Sequence, residues 1–329
     1  MRLDKWNKSY EFTVCNGIFT RNYSDYTNYC NASNLLTMAT KKSTLSITKA
    51  SGVVVPFSVE KLRKSLLRSG ADSDSAERVI VQIQPKLYEG IPTKNIYRLA
   101  YDLLRGSEGV LAARYRLKSA IMELGPSGFP FEQFVAEIFN AKGFKTRVGV
   151  ILQGKCVKHE IDVIAEKGQD YYLMECKYHN QRGIFCDVKV PLYIRSRVDD
   201  VVPILQKLKG NETKLMQAWV VTNTRFSFDA IKYGTCSAMN LLGWDYPVKG
   251  GIKDLVDSLG LYPITCLSSL SKAEKIALMN AGVVLSREVP SQLKRLQALG
   301  MSKPRIKKVL DEADTLCSDV SRQTNSLRK

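Results

Sequence analysis

Paired cysteines, histidines and long apolar runs are scarce in this 329-residue sequence. Its eight cysteines are scattered without a CxxC pair, and it has only two histidines, which argues against a zinc site. The simplest interpretation of the cysteines is that they are small buried apolar side chains in a reducing cytoplasm. There is no apolar run of roughly 18 residues and no secretory leader, so we expect a cytoplasmic protein without a membrane partner.

Positive charge, in contrast, is in excess. The 49 Lys and Arg residues against 32 Asp and Glu residues give a formal net charge of +17. A polyanion that binds such a surface releases counterions, which favours association with nucleic acid. Many basic intracellular proteins do not bind nucleic acid, so the charge acquires a functional meaning only together with a site.

The length predicts several domains, because the chain exceeds what one hydrophobic core usually organises. Residues 1–46 are rich in Asn, Tyr, Ser and Thr and lack periodicity, which predicts a poorly ordered extension; Met38 is an alternative start of the protein. We expect a mainly helical module at 47–125, an α/β domain at 126–248 and a small helical region at 249–329.

The α/β order follows from the apolar spacing. The segment FEQFVAEIFNAKGF predicts an amphipathic helix, and KTRVGVILQG, CVKHEIDVIAEKG and DYYLMECKYH each predict a strand. A helix, a buried strand, another helix and a short strand are expected to follow. This order of helices and strands predicts an α/β domain.

Three charged residues lie on the second and third of these strands. Glu175 and Lys177 are two residues apart, which places both side chains on one face of their strand. A hairpin through AEKGQD would bring Asp162 beside them. Asp162 and Glu175 would suit Mg²⁺, and Lys177 would position water and stabilise charge on a scissile phosphate. The alternative is an ion network at the surface.

This D…ExK pattern, behind a helix that carries a Glu, resembles the restriction-endonuclease-like fold in its Mrr-like and archaeal Holliday-junction-resolvase-like branch. The resemblance implies a mixed sheet flanked by helices and a Mg²⁺-dependent DNA endonuclease. It also implies that Glu132 joins Asp162, Glu175 and Lys177 as a catalytic residue, with Asp162 and Glu175 as the metal ligands. Glu137 is the alternative helix residue.

The segment ITKASGVVVPFSVEKLRKSL predicts a hairpin that turns at residues 51–52 and a helix that is capped by Ser58. It resembles the ATP-cone, a small domain that binds ATP or dATP and controls an attached part. The matching residues are Lys49, Gly52, Pro56, Phe57 and Lys61. The resemblance implies a regulatory nucleotide held by Lys49, Ser58, Lys61 and Thr93, and it extends to Arg114. Solvated surface charges are the alternative for the lysines.

Residues 264–316 resemble helix-hairpin-helix DNA-binding pairs, with a plain helical cap as the alternative. We therefore expect a nucleotide-regulated, Mg²⁺-dependent DNA endonuclease. The alternative is an ATP- or dATP-responsive DNA-binding regulator whose nuclease-like fold does not cleave. Cleavage of both strands of a duplex usually calls for two active sites, which favours a homodimer. The oligomeric state stays open, and so does the type of DNA substrate, because no element that reads bases is identifiable.

Overall fold

The structure, a computed structural model, describes residues 45–326 except 50, 108 and 182. Most of the predicted extension at 1–46, together with the alternative start at Met38, lies outside the described residues. Leu45 and Ser46 fold with the segment that follows, since the Leu45 carbonyl accepts a 2.8 Å hydrogen bond from the Phe57 N–H.

The first part of the fold is a small sheet packed on helices. The predicted hairpin is confirmed: β1 (Ser46–Thr48) and β2 (Val54–Pro56) are antiparallel, and Gly52 in the turn has a φ of 80° that suits glycine. β3 (Ile91–Pro92) adds to β1 in parallel. The helices of this part are α1 (Val59–Arg68), α2 (Ser73–Ile83), α3 (Thr93–Ser107) and α4 (Gly109–Ile121).

Helix α4 belongs to two cores. Leu111, Ala112 and Tyr115 pack with α1, α2 and α3. On its other side Leu117 and Ile121 pack into the largest apolar cluster, which includes the following domain and the C-terminal region. A helix that is apolar on more than one side is typical of such a buried position.

The large sheet has the order β10-β8-β6-β5-β4. β4, β5 and β6 are antiparallel neighbours, whereas β8 and β10 join in parallel. Its strands are β4 (Lys145–Gln153), β5 (Lys158–Lys167), β6 (Asp170–Lys177), β8 (Leu215–Thr222) and β10 (Asn240–Leu242). The short parallel pair β7 (Phe185–Cys186) and β9 (Arg225–Phe226) lies outside it.

Helices cover both faces of this sheet, as predicted. α5 (Phe129–Ala141) packs on the face that carries Val163 and Met174. α6 (Lys189–Leu205) and α7 (Phe228–Cys236) pack on the face that carries Ile164 and Leu173.

The C-terminal region is helical, as predicted, and continues the core on the α5 face. Its helices are α8 (Ile252–Leu259), α9 (Lys272–Asn280), α10 (Leu293–Ala298) and α11 (Lys303–Ser326). Among the described residues, we find no helix with the length and apolar character needed to cross a bilayer.

Candidate active site

Strands β5 and β6 separate at the position of Asp162. Their antiparallel pairing runs from Lys167 opposite Asp170 to Val163 opposite Met174, and its continuation would pair Asp162 with Glu175. Instead, the Asp162 carboxylate accepts a 2.7 Å hydrogen bond from the Cys176 backbone N–H. Beyond this point β6 pairs with β8 alone and β5 with β4 alone. We call this opening, with Asp162 on one side and Glu175 on the other, the fork.

A change of face in β4 and β5 accompanies the fork. Ile161 and Ile164 both pack on the α6 side, although strict alternation would place them on opposite faces. In the partner strand, Gly149 lies between the residues paired with Ile161 and Val163, and its φ of 65° is in the left-handed region. A glycine is favoured there because a side chain in that conformation is strained.

Glu132 reaches the same carboxylate cluster from the first turn of α5. Burial, followed by the charges of Asp162, Glu160 and Glu175, raises the pKa of Glu132 from its ordinary 4.5 to about 7. Each of these neighbours is acidic. The helix residue singled out in the sequence therefore lies within electrostatic reach of the fork.

Glu175 is held by an arginine from α6. Arg197 Nη1 donates to Glu175 Oε2 at 2.7 Å, and both side chains are largely buried, with 12% and 21% exposed. Arg197 Nη2 also donates to the Glu160 carbonyl. Burial and the charge of Asp162 nevertheless raise the pKa of Glu175 to about 7, although Arg197 and Lys177 oppose this rise. Burial likewise raises the pKa of Asp162, while the Cys176 N–H and Arg197 act against it.

Lys177 is exposed at the end of β6. Its positive charge acts on both Asp162 and Glu175, lowering the pKa of each. The backbone here is fixed by its neighbour strand, since the Thr222 hydroxyl donates to the Lys177 carbonyl at 2.8 Å. An ammonium group facing solvent beside two carboxylates is positioned to meet an incoming anion.

Helix α6 is anchored to the start of β5, which fixes the position of Arg197. Asp200, three residues later, accepts hydrogen bonds from the backbone of Cys156 at 2.8 Å and Val157 at 3.3 Å, and it contacts His159 Nε2 at 2.8 Å. A Cβ added to Gly154 would lie 2.1 Å from the Asp200 carboxylate, so this approach requires glycine. His159 therefore serves to hold the helix.

The structure thus brings together all four residues predicted as catalytic: Glu132, Asp162, Glu175 and Lys177. Their catalytic roles remain predictions. Sequence reasoning missed Arg197, because an Arg in a mid-helix RSR run carries no signal of a partner 22 residues away. The alternative helix residue, Glu137, instead pairs with Arg287 of the C-terminal region at 3.3 Å.

The donor set fits a hard divalent cation only in part. In the described segments, no three His, Cys, Asp or Glu side chains converge to form a complete cage. Magnesium, however, is commonly held by one or two carboxylates with water and substrate phosphate completing the shell. Asp162 and Glu175 supply such a pair, and burial, together with nearby acidic charge, raises the pKa of both, so that a cation beside them would stabilise their ionised forms.

The residues predicted to bind nucleotide lie in the N-terminal part. The parallel pairing of Thr48 with Pro92 places Lys49 and Thr93 at adjacent positions where β1 and β3 end. Lys61 lies in the first turn of α1, and the Ser58 hydroxyl accepts its N–H at 3.3 Å, which confirms the predicted cap. Ser58 thus has a structural role, and its contact with nucleotide remains a prediction.

Comparisons with known proteins match two regions of the chain. Residues 125–245 match a family model described as a restriction endonuclease, and residues 262–317 match one described as AF1548-like, C-terminal. The chain therefore carries a restriction-endonuclease-like domain followed by an AF1548-like C-terminal domain. The predicted restriction-endonuclease-like domain is confirmed at this level.

The chain belongs to the family of an uncharacterized protein from Archaeoglobus fulgidus. The two are 38% identical over 180 residues, which are 54% of this chain and 97% of the archaeal protein. A solved structure titled "Crystal Structure of Protein of Unknown Function AF1548" is 36% identical and covers 59% of this chain and 100% of its own, with a TM-score of 0.49.

Proposed function

We propose that this protein is a Mg²⁺-dependent DNA endonuclease that hydrolyses phosphodiester bonds under the control of ATP or dATP. The observation that carries this proposal is the fork, where Asp162 and Glu175 face each other beside the exposed Lys177. The restriction-endonuclease-like domain over 125–245 supports DNA as the substrate. The excess of basic residues supports it further.

Each residue of the site has a role that follows from its position. Asp162 and Glu175 would hold the cation, which when bound activates water and neutralises phosphate charge. Lys177, exposed beside them, would donate a hydrogen bond to a phosphate oxygen. Glu132, with a pKa of about 7, would accept or release a proton near neutral pH.

The Arg197–Glu175 pair favours a second candidate function. A guanidinium group at 2.7 Å from Glu175 already neutralises one of the two carboxylates. If that pair persists, the fork has a reduced capacity for a cation, and the protein would be a nucleotide-responsive DNA-binding regulator that does not cleave. Cleavage and binding assays distinguish these two functions.

The test is cleavage of supercoiled, branched and methylated DNA with Mg²⁺ or with EDTA. Asp162→Asn and Lys177→Met remove single groups at the fork, and we expect each to reduce cleavage by roughly 100-fold or more. Lys145→Met is the matched control, because Lys145 is an exposed lysine at the opposite end of the sheet. DNA binding is measured separately by fluorescence polarisation.

Cleavage that is lost in the two fork variants, and kept in the control, supports the endonuclease. DNA binding without cleavage in the wild type supports the regulator. Equal cleavage by all variants contradicts the proposed site. Since double-strand cleavage usually calls for two active sites, we also propose a homodimer, to be tested by sedimentation with and without DNA.

The control by nucleotide rests on the placement of Lys49 beside Thr93 and of Lys61 at the start of α1. Ligand at this module would bias the enzyme by binding one of two states more tightly. ATP and dATP at saturating concentrations should change cleavage or oligomeric state in the wild type and not in Lys49→Met/Lys61→Met. The regulatory proposal fails if neither nucleotide has an effect.

A further inference from the structure

A cavity of about 320 Å³ lies between the N-terminal part and the restriction-endonuclease-like domain. One wall is formed by helices α3 and α4 together with the last turn of α1. The other wall is formed by α8 and by residues of the segment 225–245. We call this the junction cavity. Its volume lies at the small end of the range that ligand-binding pockets occupy.

The walls of the junction cavity are strongly basic. They contain two carboxylates, Asp245 and Asp257, against five cationic side chains. The cationic residues are Arg68, Arg114, Lys118, Arg225 and Lys253. Asp245 pairs with Arg225 at 2.8 Å, and Asp257 accepts the Tyr262 hydroxyl at 2.9 Å and interacts electrostatically with Arg114. The excess of cationic over acidic side chains in the walls favours an anion in the cavity.

Aromatic rings lie among these cations. Tyr97 and Tyr115 are stacked with centroids 4.7 Å apart, and the Tyr97 hydroxyl donates to the Tyr115 carbonyl at 2.8 Å, which fixes the pair. Across the cavity, Lys118 Nζ lies 5.4 Å from the centroid of the half-buried Trp244 ring. Tyr115 is buried beneath Tyr97, whereas Tyr97 and Trp244 are only partly buried. Partly exposed rings next to cationic groups suit a planar base linked to phosphate, because every base can stack on such a ring.

The backbone makes room for Arg114, one of the residues singled out in the sequence. A Cβ added to Gly70 would lie 3.0 Å from Arg114 Nη1, and Gly70 has a φ of 93° that favours glycine. The Arg114 guanidinium also lies 5.9 Å from the Tyr262 ring centroid. This arginine of α4 therefore lies between Gly70, just after α1, and Tyr262 of the C-terminal region, along the wall of the cavity.

We propose that the junction cavity binds a phosphorylated nucleotide, either a free mononucleotide or the 5′-phosphorylated end of a DNA strand. The residues that line the cavity include none of those predicted to bind nucleotide, Lys49, Ser58, Lys61 and Thr93. The two sets lie close together, since Ser65 and Tyr97 of the cavity are each one helical turn from Lys61 and Thr93. Because a ligand in the cavity contacts both the N-terminal part and the restriction-endonuclease-like domain, its binding also provides a route by which the two affect each other.

The experiment measures binding to the full chain without Mg²⁺, so it does not depend on cleavage. The probes are ATP, dAMP, inorganic phosphate, and a tetranucleotide with either a 5′-phosphate or a 5′-hydroxyl. Their binding is measured by calorimetry and by tryptophan fluorescence. Binding is measured in a Lys49→Met/Lys61→Met background, which removes the other predicted site. In that background we expect one ligand per chain and a change in tryptophan fluorescence.

Arg68→Gln and Lys253→Gln should each weaken this binding by roughly tenfold, as expected for loss of one charged hydrogen bond. Trp244→Phe should abolish the fluorescence change, and Lys145→Gln, with an exposed lysine at the opposite end of the sheet, should alter neither readout. Circular dichroism and melting temperature verify that each variant folds. Arg68 is exposed and Lys253 half-exposed, so neither truncation removes core packing.

Binding of ATP or dAMP that depends on Arg68 and Lys253 supports a mononucleotide site. Binding of the 5′-phosphorylated oligonucleotide alone, with the same dependence, supports a DNA-end site. The proposal is overturned if no probe binds in the Lys49→Met/Lys61→Met background, or if binding there is unchanged by Arg68→Gln and Lys253→Gln. A failure of the nucleotide role of Lys49 and Lys61 leaves this test valid, because it does not use that site.

Discussion

Glu132→Gln removes one negative charge from the fork without changing the size of the side chain. Burial, followed by the charges of Asp162, Glu160 and Glu175, raises the pKa of the Glu132 carboxyl from its ordinary 4.5 to about 7. At about 1.4 kcal/mol per pH unit this difference corresponds to roughly 3 kcal/mol. Because Glu132 is only half-buried, solvent screens part of this, and we expect the substitution to stabilise the folded protein by about 2 kcal/mol at pH 8.

The size of this stabilisation depends on pH. Below about 4.5 Glu132 is protonated in both the folded and the unfolded state and has no charge to repel. Between 4.5 and 7 the folded protein binds more protons than the unfolded chain, so its stability falls as the pH rises, and above 7 the whole cost is present. Glu132→Gln should therefore raise the melting temperature by about 4 °C at pH 8 and by only about 1 °C at pH 5.

The assay is thermal unfolding in EDTA at both pH values, repeated with saturating Mg²⁺, which should reduce the difference between variant and wild type by neutralising the same carboxylates. Glu137→Gln is the matched control on the same helix. Its carboxylate pairs with Arg287, so it should be neutral or slightly destabilising. A Glu132→Gln protein that melts below the wild type at pH 8, or shows the same shift at pH 5, would refute the reasoning.

Three further substitutions test the framework of the site. In Gly149→Ala the new Cβ meets only ordinary contacts, but the alanine must adopt a φ of 65°. The free energy of unfolding, measured by denaturant melting, should therefore fall by about 1–2 kcal/mol, and cleavage should also fall if the fork is catalytic. An unchanged melt contradicts this. Gly125→Ala places a Cβ 2.7 Å from the Tyr178 ring, and this ring is held in place because its hydroxyl donates to the Met122 carbonyl at 2.6 Å. We expect the free energy of unfolding to fall by about 1–3 kcal/mol, and a wild-type melting temperature would contradict this. Arg197→Gln leaves Glu175 without the guanidinium group that pairs with it, and it should lower the free energy of unfolding by about 2 kcal/mol in EDTA. Mg²⁺ should restore part of this loss. Equal stability of variant and wild type in EDTA would show that the Arg197–Glu175 pair contributes nothing.

Local patterns in the sequence predicted much of the fold. The Ser51-Gly52 turn and the Ser58 cap are both present, since each depends on residues within a few positions of one another. The alternation in β5 and β6 and their tight turn also follow from local spacing. The short pair β7 and β9 and the helix α8 were not predicted, because two-residue strands and eight-residue helices leave weak patterns.

The sequence by itself predicted Asp162, Glu175 and Lys177 as one cluster, because strand periodicity and the D…ExK spacing are local properties. Its resemblance to the restriction-endonuclease-like fold, a domain that the comparisons confirm, implied Glu132 as a fourth member. Only the tertiary structure decided that β5 and β6 part at Asp162, and that Arg197 of α6 pairs with Glu175. It alone also placed α1 and α4 against Trp244 around the junction cavity. These features join residues distant in sequence, and their contacts arise only when the helices pack on the sheet.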